Sequence, residues 1–365
     1  MDFEYVDFVR QLATVYRVIL ICKSGYDGRL LKLGLVVHFI TSHSKLDLKA
    51  LTSIRHIVKD EQVDVVYCQN NRWLTLAVFS SYFLPHKPAI FCRRGICKGV
   101  SKFKLDDLLT YFNRRLSGVI TISDAAKKAM LNVGYDSAKV VSVRPGINPD
   151  DFPLRVSSQS FRERFAINKE ALLVMTVANE RPVKGLDRLF KVAQSLVGEN
   201  VHFCVIGRGC DRALLDKYNL EDSGNVTFLG YQERAYQYLS AADIYVQPSR
   251  EEGLSYSLAQ AILQGCCPVV TDVGGMVELV EHKVNGLVVS NDEALVVKQI
   301  RASIFELMVS QTQRQQFAIK GAEMLSQRFN AQRMAEATSA FFEQSMEFNR
   351  LNEVAASRDI RDMVF

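Results

Sequence analysis

The chain has 365 residues, 48% of them hydrophobic, and a formal net charge of +5. This length exceeds what one hydrophobic core usually supports, so two domains are expected. The mild positive charge permits an anionic partner, but the sequence carries no nucleic-acid-binding motif and nucleic acid is not an expected partner. No apolar run reaches the roughly 20 residues that span a bilayer, and eight irregularly spaced cysteines favour a reducing, cytoplasmic location.

Strand-like apolar runs alternate with helical patterns along the whole chain, which predicts a doubly wound α/β architecture. A turn-rich passage at residues 144–160, with three of the eight prolines, is the predicted linker between two such series. The predicted strands of the first series are residues 17–22, 36–40, 63–67, 89–92, 119–122 and 140–143. Those of the second are residues 172–177, 201–206, 226–229, 244–247, 268–271 and 287–289.

Residues 248–289 contain the most informative pattern, in the order loop, helix, strand, turn, helix and strand. Gly265 stands where this first helix would end, so the loop from Gly253 to Ser257 is expected to open it. The first N–H groups of a helix lack internal partners and carry the positive end of its dipole. The loop therefore predicts an anion site, to which Ser255 and Ser257 add hydroxyl donors.

Glu252 stands immediately before this loop, where a carboxylate would repel a bound phosphate. It is either a capping or solvated glutamate, or a residue that binds the hydroxyls of a sugar attached to that phosphate.

The stretch resembles the donor-sugar signature of the GT-B glycosyltransferases, in the retaining family known as group 1 or family 4. The matching positions are Pro248, Ser249, Glu252, Gly253, Ala261, Gly265, Gly274, Gly275, Glu278 and Gly286. The resemblance implies two Rossmann-like doubly wound domains that face each other across a cleft. Residues 1–150 would form the acceptor-side domain and residues 151–340 the nucleotide-sugar-binding domain, with residues 341–365 as a helical segment that packs back on the first.

The resemblance also implies the roles of individual residues. Glu252, Lys184 and Arg181 would be catalytic, with the two cations holding the donor diphosphate, although Asn179 occupies the commonest position of the family's arginine. Gln260 replaces the second acid of the signature, which in the family holds the ribose hydroxyls, and a glutamine still offers an acceptor and a donor. The implied donor-binding residues are Gly185, Gly207, Gly230, Tyr231, Gly253, Leu254, Ser255, Tyr256, Ser257 and Gln260.

Metal chemistry is not expected, because the sequence has no Asp-x-Asp and its six histidines lack ligand spacing. No other cofactor is expected. Lys184, Arg181 and the helix amides after Gly253 would instead neutralise the departing nucleoside diphosphate. No second carboxylate can be placed beside Glu252 for double displacement, and the resemblance implies retention by same-face attack.

The first half is expected to bind the acceptor. Arg93 and Arg94 end a predicted strand where the family often presents a basic residue to the cleft. Lys98, Lys102 and Lys104 follow, interleaved with apolar residues, which is typical either of a solvated loop or of peripheral contact with an anionic membrane.

The expected function is transfer of a sugar from a UDP-, GDP- or ADP-linked donor to a glycan or lipid-linked acceptor. The family's habits suggest bacterial surface polysaccharide or lipopolysaccharide assembly at the cytoplasmic face of the inner membrane. One alternative is another GT-B activity such as a nucleotide-sugar 2-epimerase. A second is a nucleotide-sugar-binding protein with impaired catalysis, which Gln260 favours.

The beginning of the sequence departs from the family's pattern. Residues 3–13 have the spacing of a helix and the next predicted strand is residues 17–22, so the family's opening strand and Gly-rich turn have no counterpart. Because that strand is central in a doubly wound sheet, we expect an interrupted first sheet. Either the natural protein extends upstream of Met1, or the chain is a degenerate copy.

Overall fold

The computed structural model describes residues 3–26, 28–210, 212–218, 220 and 223–361. The chain divides into two compact units, the first formed by Met1–Gly146 with Phe329–Phe365 and the second by Ile147–Arg328. The return to the first unit precedes the predicted boundary at residue 340, because Met334 and Ala335 are buried in the core of the first unit. The end of the predicted segment 341–365, residues 362–365, lies outside the described residues.

The strands of the second unit are β7 Leu172–Val177, β8 Val201–Ile206, β9 Val226–Gly230, β10 Ile244–Gln247, β11 Cys267–Thr271 and β12 Leu287–Val289. They form one parallel sheet with the order β12-β11-β10-β7-β8-β9. Its helices are α6 Ser158–Arg164, α7 Leu186–Gln194, α8 Arg212–Lys217, α9 Tyr236–Leu239, α10 Tyr256–Leu263, α11 Met276–Leu279, α12 Val296–Met308 and α13 Gln311–Arg328.

The central strands of this sheet are apolar on both faces. All four residues of β10 and all five of β11 are buried. Helices α7 and α12 pack on one core cluster with Val174 of β7 and Val246 of β10, whereas Tyr245, on the opposite face of β10, donates to Ser257 of helix α10. This is the pattern of a parallel sheet covered by helices on both sides, which explains the nearly continuous hydrophobic runs in the sequence.

The first unit is also built of parallel strands, but they form two sheets. Its strands are β1 Ile19–Lys23, β2 Val36–Ile40, β3 Val65–Cys68, β4 Ala89–Arg94, β5 Leu116–Thr121 and β6 Val140–Ser142. Its helices are α1 Phe3–Leu12, α2 Leu48–Asp60, α3 Asn71–Ser81, α4 Leu105–Thr110, α5 Asp124–Asn132 and the last helix α14 Ala331–Arg361.

Strands β1 and β2 pair with each other, and β3 to β6 form a separate four-stranded sheet. Within the described residues no ladder joins β1 to β3, so the predicted interruption of the first sheet is confirmed. Leu20 of β1 and Tyr67 of β3 nevertheless pack against the same hydrophobic cluster. The two sheets therefore share one hydrophobic core, although no described strand pairs with both β1 and β3.

Helices α1 and α14 cover that core. Phe8 of α1 is buried with Phe341 and Phe342 of α14, and the Phe342 ring lies 4.5 Å from that of Phe91 in β4. A Cβ atom on Gly118 of β5 would lie 2.6 Å from Phe341, so the close approach of α14 to the sheet requires a glycine there. Among the described residues, no helix combines the length and apolarity needed to cross a membrane.

Candidate active site

The site predicted from the sequence lies where the strand order of the second sheet reverses, between β7 and β10. The loop after β7 contains the short 3-10 helix Pro182–Lys184, and the loop after β10 covers residues 248–255. The two loops pack closely against each other at Gly185. A Cβ atom on this residue would lie 2.0 Å from the Pro248 carbonyl oxygen, and its φ of 68° also favours glycine. A larger residue would push the loops apart.

Lys184 and Glu252 meet at this point. The Nζ atom of Lys184 donates to Oε2 of Glu252 at 2.6 Å, and the two side chains are 23% and 14% exposed. Both remain accessible to a ligand at the strand ends. The structure therefore brings together two of the three predicted catalytic residues, although they are 68 positions apart in the sequence.

Gln247 also binds the Glu252 carboxylate. Its Nε2 donates to Oε2 of Glu252 at 3.0 Å, and its Oε1 accepts from the Ser255 hydroxyl at 2.7 Å. Oε1 of Glu252 has no hydrogen bond to the described protein residues, and the side chain is 14% exposed. Sequence reasoning missed Gln247, although an amide in an otherwise apolar, fully buried strand is an indication of a partner.

The two predicted hydroxyl donors take part in a buried network. Ser255 is the N-cap of α10, where its hydroxyl accepts from the Leu258 amide. Ser257 lies within 2.9 Å of the Tyr245 hydroxyl, whose pKa is raised by burial. The Ser255 side chain is 3% exposed and serves as a cap, so its contact with an anion stays a prediction.

The remaining residues of the donor loop are held by the second unit, and their binding to a donor stays a prediction. The Gly253 carbonyl accepts from the Gly275 amide at 2.8 Å, and Leu254 is buried. Helix α10 begins at Tyr256, and Gly265 has a φ of 93° just beyond its end, which confirms the predicted helix. Gln260 lies half-buried on α10, and its side chain makes no hydrogen bond to the residues that the structure describes.

Arg181, the third predicted catalytic residue, is exposed at the start of the 3-10 helix that carries Lys184. Its backbone N–H donates to the Asn179 carbonyl at 2.7 Å. Within the described part of the chain, its guanidinium has no hydrogen bond or ion pair. It is therefore able to turn toward an anion bound beside Lys184.

The glycines at the ends of β8 and β9 lie on one side of this site, because both strands follow β7 in the sheet order. A Cβ atom on Gly207 would lie 1.7 Å from the Ala178 carbonyl oxygen, so this glycine is required for packing. Gly230 has a φ of 62° and open space around its Cα. Tyr231 is 58% exposed, and the Arg208 guanidinium lies 4.6 Å from the centre of its ring. Arg208 was not singled out from the sequence.

The acceptor-side candidates belong to the first unit and are engaged within it. Arg93 donates to the Tyr5 hydroxyl and stacks over that ring at 5.1 Å. Arg94 is 6% exposed, lies 4.8 Å from the centre of the Tyr111 ring and donates to the Lys98 carbonyl. These contacts stabilise the end of β4, and acceptor binding by either arginine stays a prediction.

The described residues contain no group of three or more histidine, cysteine, aspartate or glutamate side chains placed to hold a metal ion.

Two family models together match most of the chain. Residues 5–151 match Glycosyltransferase Family 4, and residues 157–324 match Glycosyl transferases group 1. The chain belongs to the group 1 GT-B glycosyltransferases. The two matches follow the two units of the structure, and the division between them falls in the predicted linker.

Curated relatives of this glycosyltransferase are distant. An uncharacterized glycosyltransferase of Methanocaldococcus jannaschii is 27% identical over 62% of this chain, and the match spans 62% of the relative's own length. The N,N'-diacetylbacillosaminyl-diphospho-undecaprenol alpha-1,3-N-acetylgalactosaminyltransferase of Campylobacter jejuni is 22% identical over 74% of this chain and 76% of its own.

Solved structures confirm the GT-B fold with two Rossmann-like domains. A glycosyltransferase from Rickettsia africae matches with a TM-score of 0.75 and 16% identity, over 94% of this chain and 93% of its own. Anabaena HepE in complex with UDP matches with a TM-score of 0.72 and 17% identity, over 90% of this chain and 100% of its own. At these identities the likeness concerns the fold alone.

Proposed function

We propose that the protein is a retaining, metal-independent glycosyltransferase that moves a sugar from a nucleotide-sugar donor to a glycan or lipid-linked acceptor. The observation that carries this proposal is the Lys184–Glu252 pair at the strand-order reversal, with the Glu252 Oε2 atom held by Lys184 and Gln247. A cation and a carboxylate side by side suit a ligand with a diphosphate next to a sugar.

In the proposed reaction the bond between the anomeric carbon and the diphosphate oxygen breaks. Negative charge then builds on the leaving group, where Lys184, Arg181 and the first amides of α10 stabilise it. Glu252 binds sugar hydroxyls through its Oε1 atom. The acceptor hydroxyl attacks the same face of the sugar and passes its proton to the leaving phosphate, so the anomeric configuration is retained.

The relatives guide the choice of substrates. The Campylobacter relative is named for a diphospho-undecaprenol acceptor, and HepE was solved with UDP. A UDP-sugar donor and a lipid-linked acceptor in bacterial surface polysaccharide or lipopolysaccharide biosynthesis are therefore the first substrates to test, with GDP- and ADP-sugars as competitors.

Peripheral membrane contact at the cytoplasmic face is part of the same proposal. Phe103 is 100% exposed, Leu105 is 68% exposed and Ile96 is 56% exposed, and lysines are interleaved with them. Apolar side chains among cations suit an anionic bilayer surface. Flotation with anionic and with zwitterionic vesicles tests this proposal. Binding to the anionic vesicles should fall on Phe103→Ser but not on the matched Val309→Ser, a residue 82% exposed in the second unit.

Transfer assays with purified protein test the proposed reaction. The protein should release nucleoside diphosphate from one of the UDP-, GDP- or ADP-sugars, and NMR of the product should show the donor's anomeric configuration. Turnover should persist in excess chelator. An inverted product, or a requirement for added metal, would contradict the mechanism.

The second candidate is a nucleotide-sugar-binding protein with impaired catalysis, which the glutamine at position 260 favours. Tight nucleotide-sugar binding without transfer or hydrolysis would support it over the enzyme.

A further inference from the structure

Two arginines that the sequence did not single out connect three loops around the candidate site. Arg250 lies in the loop after β10, two residues before Glu252. Its two Nη atoms donate to the two carboxylate oxygens of Asp187 at 2.7 and 2.8 Å, and its Nε donates to Glu293 at 2.7 Å. Glu293 follows β12, so a single guanidinium joins the ends of three strands.

Arg250 also holds the backbone of the Lys184 loop. Its backbone N–H donates to the Val183 carbonyl at 2.8 Å, and its Nη1 donates to the Pro182 carbonyl at 3.0 Å. These two residues immediately precede Lys184. The Lys184 side chain is long and flexible, so the position of its backbone decides which atoms its ammonium group can reach.

Arg188 connects the loops after β10 and β12 through a buried side chain. Its side chain is 2% exposed and donates to Glu293 at 2.6 Å, to the Asn291 side chain at 2.8 Å and to the Pro248 carbonyl at 3.1 Å. The two arginines lower the pKa of Glu293 to about 2, so this carboxylate stays charged between them. Arg250 likewise lowers the pKa of Asp187.

The geometry of these contacts is specific. Paired donation from one guanidinium to both oxygens of a carboxylate fixes orientation as well as distance. The contacts end on backbone carbonyls of the two loops that carry Lys184 and Glu252. We propose that Arg250 is a positioning residue, which through Asp187 and Glu293 holds Lys184 where it can exchange between Glu252 and the diphosphate of a donor. This inference rests on the proposed function for the identity of the ligand.

The first test needs no ligand. Arg250→Met keeps most of the side-chain length and removes the guanidinium. Hydrogen exchange at the Lys184 and Gly185 amides should become about tenfold faster or more. Glu293→Gln, which keeps the volume and removes one charge, should give a smaller change in the same direction. Lys320→Met is the control, because Lys320 forms a 3.3 Å ion pair with Glu323 within helix α13, outside the loops that carry Lys184 and Glu252.

The second test is a double-mutant cycle on binding. The dissociation constant of the tightest binder among UDP, GDP and ADP is measured by calorimetry for Arg250→Met, with and without Lys184→Ala. If Arg250 acts through Lys184, affinity should fall about tenfold in the wild-type background and less than about threefold in the Lys184→Ala background.

Each result has a defined meaning. Unchanged amide exchange in Arg250→Met would overturn the positioning role. An equal loss of affinity in both backgrounds would show that Arg250 acts independently of Lys184 and would also overturn it. Failure of the wild-type protein to bind any of the three nucleotides would contradict the proposed function and the donor part of this inference, while the exchange experiment still decides whether Arg250 holds the loop.

Discussion

The second unit joins its described strands into one six-stranded sheet, whereas the first unit divides its strands between a pair and a four-stranded sheet. Burial follows the number of neighbouring strands. All four residues of β10, which has a strand on each side, are buried, but β1, which pairs only with β2, has none that is fully buried. A strand that is hydrogen-bonded to a neighbour on each side is held in position by two ladders. The residues that immediately follow such a strand are held in position as well. The Lys184–Glu252 pair lies beside two such strands, β7 and β10.

The first unit depends more on side-chain packing. An isolated two-stranded sheet is marginally stable, and β1 with β2 is held by its contacts with helices rather than by a wider ladder. The comparison teaches that the two units differ in what stabilises them. Substitutions in the second unit's site should alter chemistry, while substitutions in the first unit's helix contacts should alter stability.

The largest effect is expected for Phe341→Ala, at the contact between α14 and the four-stranded sheet. Phe341 is 6% exposed and its ring centre lies 5.6 Å from that of Phe91. Removing a buried phenyl ring costs about 3–5 kcal/mol, which should lower the unfolding transition of the first unit. Denaturant unfolding measures it, with the exposed Val309→Ala as control. A loss below about 1 kcal/mol would show that the first unit does not depend on this helix.

Glu252→Ala should have the next largest effect, and on turnover rather than stability. We expect a loss of about 100-fold, or 2.7 kcal/mol of transition-state stabilisation, because the carboxylate contacts the sugar as charge builds at the anomeric carbon. Steady-state kinetics and a melting curve separate the two effects. The exposed neighbour Glu251→Ala is the control. Transfer by Glu252→Ala at the wild-type rate would refute the assignment.

Native-state hydrogen exchange compares the two units directly. Amides of β1 and β2 should open with a free energy at least about 2 kcal/mol below that of β7 and β10, because fewer ladder bonds and less burial protect them. Equal protection of both sets would mean that the interruption between β1 and β3 has no energetic consequence.

The smallest effect is expected at Gln260, on α10 of the second unit. If Gln260 faces the ribose hydroxyls, Gln260→Glu should tighten nucleotide binding severalfold, since a hydrogen bond to a charged acceptor is stronger by about 1 kcal/mol. Calorimetry with the nucleoside alone and with the nucleoside diphosphate measures it. Weaker binding of both ligands would place Gln260 away from the ribose.

The sequence predicted every described strand to within a few residues, because buried parallel strands are continuous runs of apolar, often β-branched residues. The resemblance also selected Lys184 and Glu252, which the structure brings into contact, and their catalytic roles stay predictions. It did not predict Gln247, Arg188 or Arg250. Arg188 meets Glu293 across 105 positions, and no local pattern encodes such a pairing. The capping role of Ser255 was missed although it is local, since its hydroxyl accepts from the Leu258 amide three residues later.

The order of the units along the chain has a consequence for biosynthesis. The second unit, Ile147–Arg328, is nested between the two parts of the first. During translation the ribosome therefore completes the second unit before α14 emerges. Until then the surface that receives Phe341 and Phe342 stays uncovered on the nascent chain. The first part to be synthesised is thus the last that can finish folding. A chaperone that shields apolar surface would bind most strongly before α14 has been synthesised.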